Sequence, residues 1–212
     1  MDPQLLEYNA RDCVATRMCW DPLWQDAQEA GVDQFYRRLV LPLAHAVSRM
    51  GARGLLVDPK RKRALIGTYS RQLTTVQTQL PPGLNPDAPR QIGTWLLGQG
   101  FRLSRRTPGG QPTVDEDVLR GLLAQGPHPH VEALLAYREI TKLLRTYLAN
   151  LQVDADGRVR GRWLVHGTAT GRLSSREPNF QNIPDELRTI YVAPLGWRLA
   201  ELDYDLIELR LI

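Results

Sequence analysis

Asp58 followed by Pro59 opens a long helical pattern in the middle of this chain. Aspartate is a favoured helix N-cap, and proline at the first helical position is already bent for the turn. Leu65, Tyr69, Leu73, Val76 and Leu80 continue as an apolar stripe until "PPGLNP" breaks it. Residues 131–151 carry a second long helix. Shorter helices are expected over residues 4–20, with Leu5, Tyr8, Cys13 and Met18, and over 34–50, with Phe35, Leu39, Leu43, Val47 and Met50. Pro42 should kink the latter and "MGARG" should end it. Pro89 to Leu97 reads as a helix with Ile92, Trp95 and Leu96 inward, and Thr113 with Glu116 as a capping box for a helix through Leu123. Strand signals come late: a hairpin over 152–165 around "DADGR", then "TIYVAP" and "WRLAELDY" joined by "PLG". A final helix starts near Leu206 and carries Ile207, Leu209, Leu211 and Ile212 with nothing after it to cover them, so the chain reads as a piece of something longer. The expected fold class is α+β, mostly α.

The 212 residues suit one large domain or two small ones. No apolar run approaches the ~20 residues of a membrane span, and "MDPQLLEYNARD" lacks the order of a signal peptide. An intracellular, cytoplasmic protein is expected. Cys13 and Cys19 make no CxxC pair and read as reduced helical cysteines. The net charge of +4 is unevenly spread. The first segment is acidic, whereas basic groups cluster at Lys60 to Arg63, at Arg102 with Arg105 and Arg106, and at Arg138, Lys142 and Arg145. Arginine dominates, and its planar fork suits phosphates and base edges.

Three constellations carry chemistry. In "LAELDYDLIELR", strand alternation would put Glu201 and Asp203 on one face, where a carboxylate at a strand end suits a hard divalent cation. The same pattern also describes a solvated strand end with a helix-capping aspartate. In "TATGRLSSREPNFQNIP", Asn179, Gln181 and Asn182 offer paired donors and acceptors suited to sugar edges and minor-groove acceptors, with Arg172 able to reach the same groove. A hydrogen-bonded surface loop would use the same residues. In "YREITKLLRTYLANL", Arg138, Lys142 and Arg145 share one helix face and Leu134, Tyr137, Leu144 and Leu148 lie broadly on the other. That fits a helix laid along a phosphate backbone, or a solvated helix face.

In this order, "YREITKLLRTYL", "TATGRLSSREPNFQNIP" and "DYDLIELR" resemble the thumb helix, the template-primer-binding segment and motif A of family A DNA polymerases, the bacterial DNA polymerase I type. "LNPDAPRQIGTWLLGQGF" and "TVDEDVLRGL" resemble the thumb tip, and "LLEYNARDCVAT" the last motif of the 3′–5′ exonuclease domain, with Tyr8 and Asp12 in its Tyr-x-x-x-Asp positions. The resemblance implies an exonuclease remnant over 1–33, a connecting helix over 34–52, a helical thumb over 53–151 and the start of a β-rich palm over 152–212. It implies template-directed DNA synthesis by a DNA-directed DNA polymerase, acting as a monomer in a bacterial or phage-infected cell. Partners would be primed duplex DNA and dNTPs, with two Mg²⁺ ions in the complete enzyme and no membrane.

By position, Asp203 would be catalytic and hold metal with the backbone carbonyl of Tyr204, and Asp12 would be a metal ligand of the exonuclease remnant. Glu208 would be the steric gate beneath the sugar. Arg172, Asn179, Gln181 and Asn182 would meet the template-primer minor groove, and Arg138, Thr141, Lys142, Arg145 and Thr146 would lie against DNA phosphates. Asp205 and Leu206 stand where the family usually has Ser and Gln, Phe180 replaces a usual Leu, Glu201 stands where small residues are common, and the link from Pro184 to Arg188 is short, as in some phage-like members. The fingers helix and the second palm aspartate would follow motif A, so this chain alone is expected to bind DNA without polymerising or degrading it. The competing expectations are a non-catalytic DNA-binding module and a remnant of a 3′–5′ exonuclease.

Overall fold

The computed structural model describes residues 2–103, 105–107 and 109–211, the side chains of Glu208 and Leu211 excepted. In chain order the helices and strands are α1 (Pro3–Glu29), α2 (Asp33–Phe35), α3 (Leu41–Arg53), β1 (Leu55–Val57), α4 (Pro59–Thr78), α5 (Pro89–Gly98), α6 (Glu116–Leu123) and α7 (Pro129–Lys142). There follow β2 (Arg158–Val159), β3 (Arg162–Leu164), β4 (Ser174–Arg176), α8 (Asp185–Arg188), β5 (Tyr191–Val192) and α9 (Ile207–Leu211). π-helical turns at Tyr36–Val40 and Leu143–Ala149 adjoin α3 and α7. The fold is α+β and mostly helical, as expected. No helix among the described residues is long and apolar enough to cross a membrane.

The chain divides into two compact units, each drawn from two separate stretches: Met1–Gly54 with Arg160–Gln181, and Leu55–Val159 with Asn182–Ile212. The second holds the main core. The Asp58 carboxylate accepts the backbone N–H groups of Lys60 and Arg61 at 2.8 and 3.2 Å, which starts α4 where the sequence places it. α4 packs on α7. Leu80, Ile92, Leu96, Leu119, Leu122, Val131 and Leu134 are buried together, with Leu73 and Val76 of the α4 stripe against them. Below α4, β1 is the centre of a three-stranded antiparallel sheet in the order β2-β1-β5, with Leu55 opposite Val159 and Val57 opposite Tyr191. Arg61 and Lys62 donate to the carbonyls of Thr189 and Leu151 at 3.0 Å each, fastening the start of α4 to the chain around that sheet.

In the first unit, α3 packs on the β3–β4 ladder, in which Trp163 faces Ser175 and Leu164 faces Ser174. α1 buries none of its residues. Its Trp20 stacks on Trp24 with ring centroids 5.8 Å apart, and Arg37 lies 4.3 Å over Trp24.

Several expectations are corrected. α6 is capped by Asp115, whose carboxylate accepts the Val118 N–H at 2.9 Å, and not by Thr113, whose buried hydroxyl has no partner among the described residues. The helix begins two residues later than the Thr-x-x-Glu spacing implies, and Glu116 pairs with Arg120 instead of capping. Residues 152–165 are not one hairpin. The turn forms, with Gly157 N–H donating to Asp154, but Val159 buries itself against Leu55 while Arg162–Leu164 pairs with β4. "WRLAELDY" makes no strand: it finds no ladder partner among the described residues, and Leu202 and Tyr204 are exposed. α1 runs beyond residue 20, through Pro22, to Glu29. The irregularity expected at Pro42 falls just ahead of it, as the first π turn: proline offers no N–H to the preceding turn, and the wider turn absorbs the defect.

Leu134 is fully buried, whereas Leu97 is 51% exposed. Leu134→Ala is expected to cost about 2–5 kcal/mol in urea denaturation, and Leu97→Ala within about 0.5 kcal/mol. A loss at Leu134 no larger than that at Leu97 would contradict this core.

Candidate nucleic-acid interface

The segment around Arg172 is built from a turn and a short ladder. The Thr168 hydroxyl donates to the Arg172 carbonyl at 2.8 Å, and Gly171 takes the left-handed φ of +75° that lets the chain reverse. Arg172 is exposed just after that reversal. β4 then carries Ser175, which is only 5% exposed. Its hydroxyl donates to Asn179 Oδ1 at 3.1 Å and accepts the Phe180 N–H at 3.0 Å. Asn179 Oδ1 also accepts the Gln181 N–H at 3.0 Å, and Gln181 Nε2 donates to the Leu173 carbonyl at 2.8 Å. Glu177 has φ of +57°, and its bond to Pro178 is cis.

Phe180 seals the underside of this bend. Its ring stacks on Trp163, with centroids 6.0 Å apart and planes 15° from parallel. It also lies against Gly161, where an added Cβ would stand 2.6 Å from the ring and 3.0 Å from the Pro178 carbonyl. The two amides thus have a double function that composition does not reveal. Asn179 and Gln181 spend an oxygen and a nitrogen, respectively, on the bend itself, and both remain exposed at its surface. Asn182 is exposed at the end of the Phe180–Asn182 3₁₀ turn.

The five helix residues assigned to phosphate occupy different settings. Arg138 is half-buried and donates to the Val114 carbonyl, just before the α6 cap. Burial pulls its guanidinium below the ordinary arginine range, against the opposing charges of Asp115, Glu116 and Asp87. Arg145 is 3.4 Å from Asp87, which also accepts the Tyr137 hydroxyl at 3.0 Å. The π turn that begins at Leu143 rotates Arg145 away from the single face that regular α-helical spacing would give. The Thr141 hydroxyl is buried. Lys142 and Thr146 are exposed, and Lys142 has no ion pair among the described residues. Lys142 and Arg138 line a cleft of about 280 Å³ with Glu116, Glu139, Tyr147 and Glu186.

Asp203 and Tyr204 lie on an exposed, irregular stretch. Glu201 is not beside Asp203 on a strand face; its carboxylate binds Arg188 at 2.7 Å. Leu206 has φ of +49°, and Arg210 donates to the Asp205 carbonyl at 2.9 Å, closing the turn into α9. The Glu208 side chain lies outside the described residues, as does Ile212. Tyr8 and Asp12 are exposed on α1, one turn apart. No three His, Cys, Asp or Glu side chains converge as a metal site among the described residues. Among the described residues neither Asp203 nor Asp12 belongs to such a group, and those residues do not by themselves fit a pair of Mg²⁺ ions.

Residues 61–212 match the sequence profile of DNA polymerase family A. This chain belongs to that family. It is 32% identical to DNA polymerase I of Rhizobium leguminosarum over 97% of its length, and 34% identical to the thermostable DNA polymerase I of Thermus aquaticus over 84%. These matches span 22% and 23% of the relatives, so the chain corresponds to about a quarter of the length of a family A polymerase of that kind. In structure it is similar to the POL domain of Pol1 from M. smegmatis in complex with DNA primer-template and dNTP, with a TM-score of 0.74, 29% identity, and coverage of 84% of this chain and 33% of that one. Family A polymerases are nucleotidyl transferases that generally use divalent metals.

Sequence reasoning missed Ser175, Gly161, Asp87 and Tyr137. Ser175 had a faint signal as the second of two adjacent serines between an arginine and a proline-bounded amide cluster. Asp87 had none, because its partners lie on a helix 50 and 58 residues away.

Ser175→Ala removes the donor to Asn179 and the acceptor of Phe180 N–H together. Amide hydrogen exchange at Phe180 and Gln181 is expected to rise at least tenfold while that at Ile92 is unchanged. Unaltered exchange at Phe180 would remove Ser175 from its central place.

Proposed function

We propose that this chain holds primed duplex DNA as part of a DNA-directed DNA polymerase, with the 172–182 segment set against the minor groove. The supporting observation is the internal bracing of that segment. Ser175, Asn179 and Gln181 fix the backbone through hydrogen bonds of their own, so Arg172 and the outer edges of the amides are presented in a set geometry. Minor-groove acceptors are nearly the same for every base pair. A rigid set of donors there tests pairing geometry without reading sequence, which template-directed synthesis requires.

In this reading the chain's residues divide by task. Arg172, Asn179, Gln181 and Asn182 face sugar and base edges. Lys142 and Thr146 face phosphate, from a helix on which Arg138 is engaged by the Val114 carbonyl, Arg145 by Asp87, and the Thr141 hydroxyl is buried. Asp203 and the Tyr204 carbonyl are the chain's contribution to a divalent-cation site, Glu208 lies beneath the nucleotide sugar, and Tyr8 with Asp12 belongs to an exonuclease remnant. The described residues do not complete a metal site, so no chemical step is assigned to Asp203 or Asp12 acting alone.

Fluorescence anisotropy with a labelled primed duplex tests the binding. The 212-residue chain is expected to prefer primed duplex over single strand, with affinity falling steeply with salt. Arg172→Ala is expected to weaken binding about tenfold to a hundredfold, as for a hydrogen bond from a charged donor. With Mg²⁺ and dNTPs the chain alone is expected to leave the primer unextended. Extension that Asp203→Ala abolishes would show the chain to be a self-sufficient catalyst and overturn this division, and salt-insensitive binding would overturn the phosphate contacts.

A further inference from the structure

Asp87, just before α5, stands at the centre of a small polar knot with Tyr137 of α7 and Arg145 of the π turn after it. Both terminal nitrogens of Arg145 lie 3.4 Å from the same carboxylate oxygen, Oδ2. That oxygen also accepts the hydroxyl of Tyr137, a residue only 3% exposed. The Asp87 backbone is held in place from its own side as well. Asp87 N–H donates to Asn85 Oδ1 at 3.0 Å, and Asn85 N–H donates to Gln91 Oε1 at 3.2 Å at the start of α5. The backbone that carries the carboxylate is therefore fixed before Arg145 settles against it. Lys142, one turn before Arg145, has no such partner among the described residues.

We propose that Asp87 is a built-in counter-charge that withholds Arg145 from nucleic-acid phosphate and leaves Lys142 as the phosphate-binding cation of this helix. The inference rests on the DNA-binding reading above. It does not need a strong ion pair, since both side chains are about half exposed and such pairs are weak. It needs charge cancellation. A phosphate approaching Arg145 meets a carboxylate 3.4 Å from the guanidinium, so the local net charge is close to zero. Counterions are released from DNA in proportion to the phosphates that a protein's cations neutralise. An arginine already neutralised by its own chain adds nothing to that count.

The slope of log K against log[NaCl] for a primed duplex, measured by anisotropy on the 212-residue chain between about 50 and 200 mM, reads that count. Lys142→Gln is expected to make the slope shallower by about 0.9, and Arg145→Gln to leave it at the wild-type value. Asp87→Asn is expected to steepen it by about 0.9, and Asp87→Asn/Arg145→Gln to restore it. A slope for Arg145→Gln as shallow as that for Lys142→Gln overturns the proposal. Arg145→Gln keeps the Tyr137–Asp87 bond, so this comparison does not hang on how well Asp87→Asn folds. If the wild-type chain binds no duplex, the DNA reading fails, and elution from heparin-agarose decides the counter-charge separately. The two single variants lose the same charge, yet Lys142→Gln should elute at lower salt and Arg145→Gln with the wild type; elution of both at the same lower salt overturns the proposal.

Discussion

The buried hydroxyl of Ser175 donates to one residue of the following bend and accepts from the next, and in doing so it sets the shape of the segment that faces nucleic acid in our reading. A serine with its side chain only 5% exposed would be a liability if either bond were missing, because a buried polar group without a partner costs about as much as several good contacts return. With both made, it converts a run of polar residues that has no apolar face into a fixed scaffold. Phe180 supplies the apolar counterpart by stacking on Trp163, and Gly161 supplies the space for that ring. Polar bracing above and one aromatic pair below replace the core that so short a segment cannot build.

The same economy governs the charges of α7 and the π turn that follows it. The sequence offers three cations at helical spacing, and two of them are engaged by other groups of the protein. Arg138 fastens the chain before α6, and its guanidinium is desolvated in the process. Arg145 is carried round by the π turn to Asp87. An arginine has a long stem and five donors, so it can bridge elements where an apolar side chain would leave carbonyls unpaired. Counting cations along a helix therefore overstates the charge available to phosphate, and the overstatement is greatest for arginine. On this helix it is Lys142, with a compact and strongly hydrated charge, that stays in solvent.

Legibility in the sequence followed the range of the interactions. Asp58-Pro59 acts within one turn, and α4 begins where that pair puts it. The stripe Leu73, Val76, Leu80 also acts locally and lies against the core. The short strands depend on partners far away: Leu55 pairs with Val159, more than a hundred residues on, and nothing in "DADGR" says that its two flanks will join different ladders. The cap of α6 was misplaced by a close competitor. Thr113 has the right spacing to Glu116, but Asp115 carries a full charge to the helix N-terminus and prevails. At the site, the residue types were legible and their partners were not. "PNFQNIP" announces hydrogen-bonding side chains, yet only the structure reveals that half of the amide groups of Asn179 and Gln181 are turned inward.

That inward half bears on how binding and chemistry are divided. The segment that our reading sets against the groove is short: its donors, its brace and its aromatic floor all lie within residues 161–182. The stretch from Glu201 to Asp205 is different. Its carboxylates are exposed, Glu201 is engaged with Arg188, and Asp203 belongs to no group of three potential metal ligands among the described residues. A minor-groove grip can work as a unit because each contact is a hydrogen bond from a positioned donor. A divalent-cation site cannot, since one carboxylate leaves most of the coordination shell to be filled by others. The physical requirements of the two tasks therefore differ in reach. Gripping needs a short rigid segment, whereas metal chemistry needs several distant segments brought to one point. Sequence that is sufficient for the first need not be sufficient for the second.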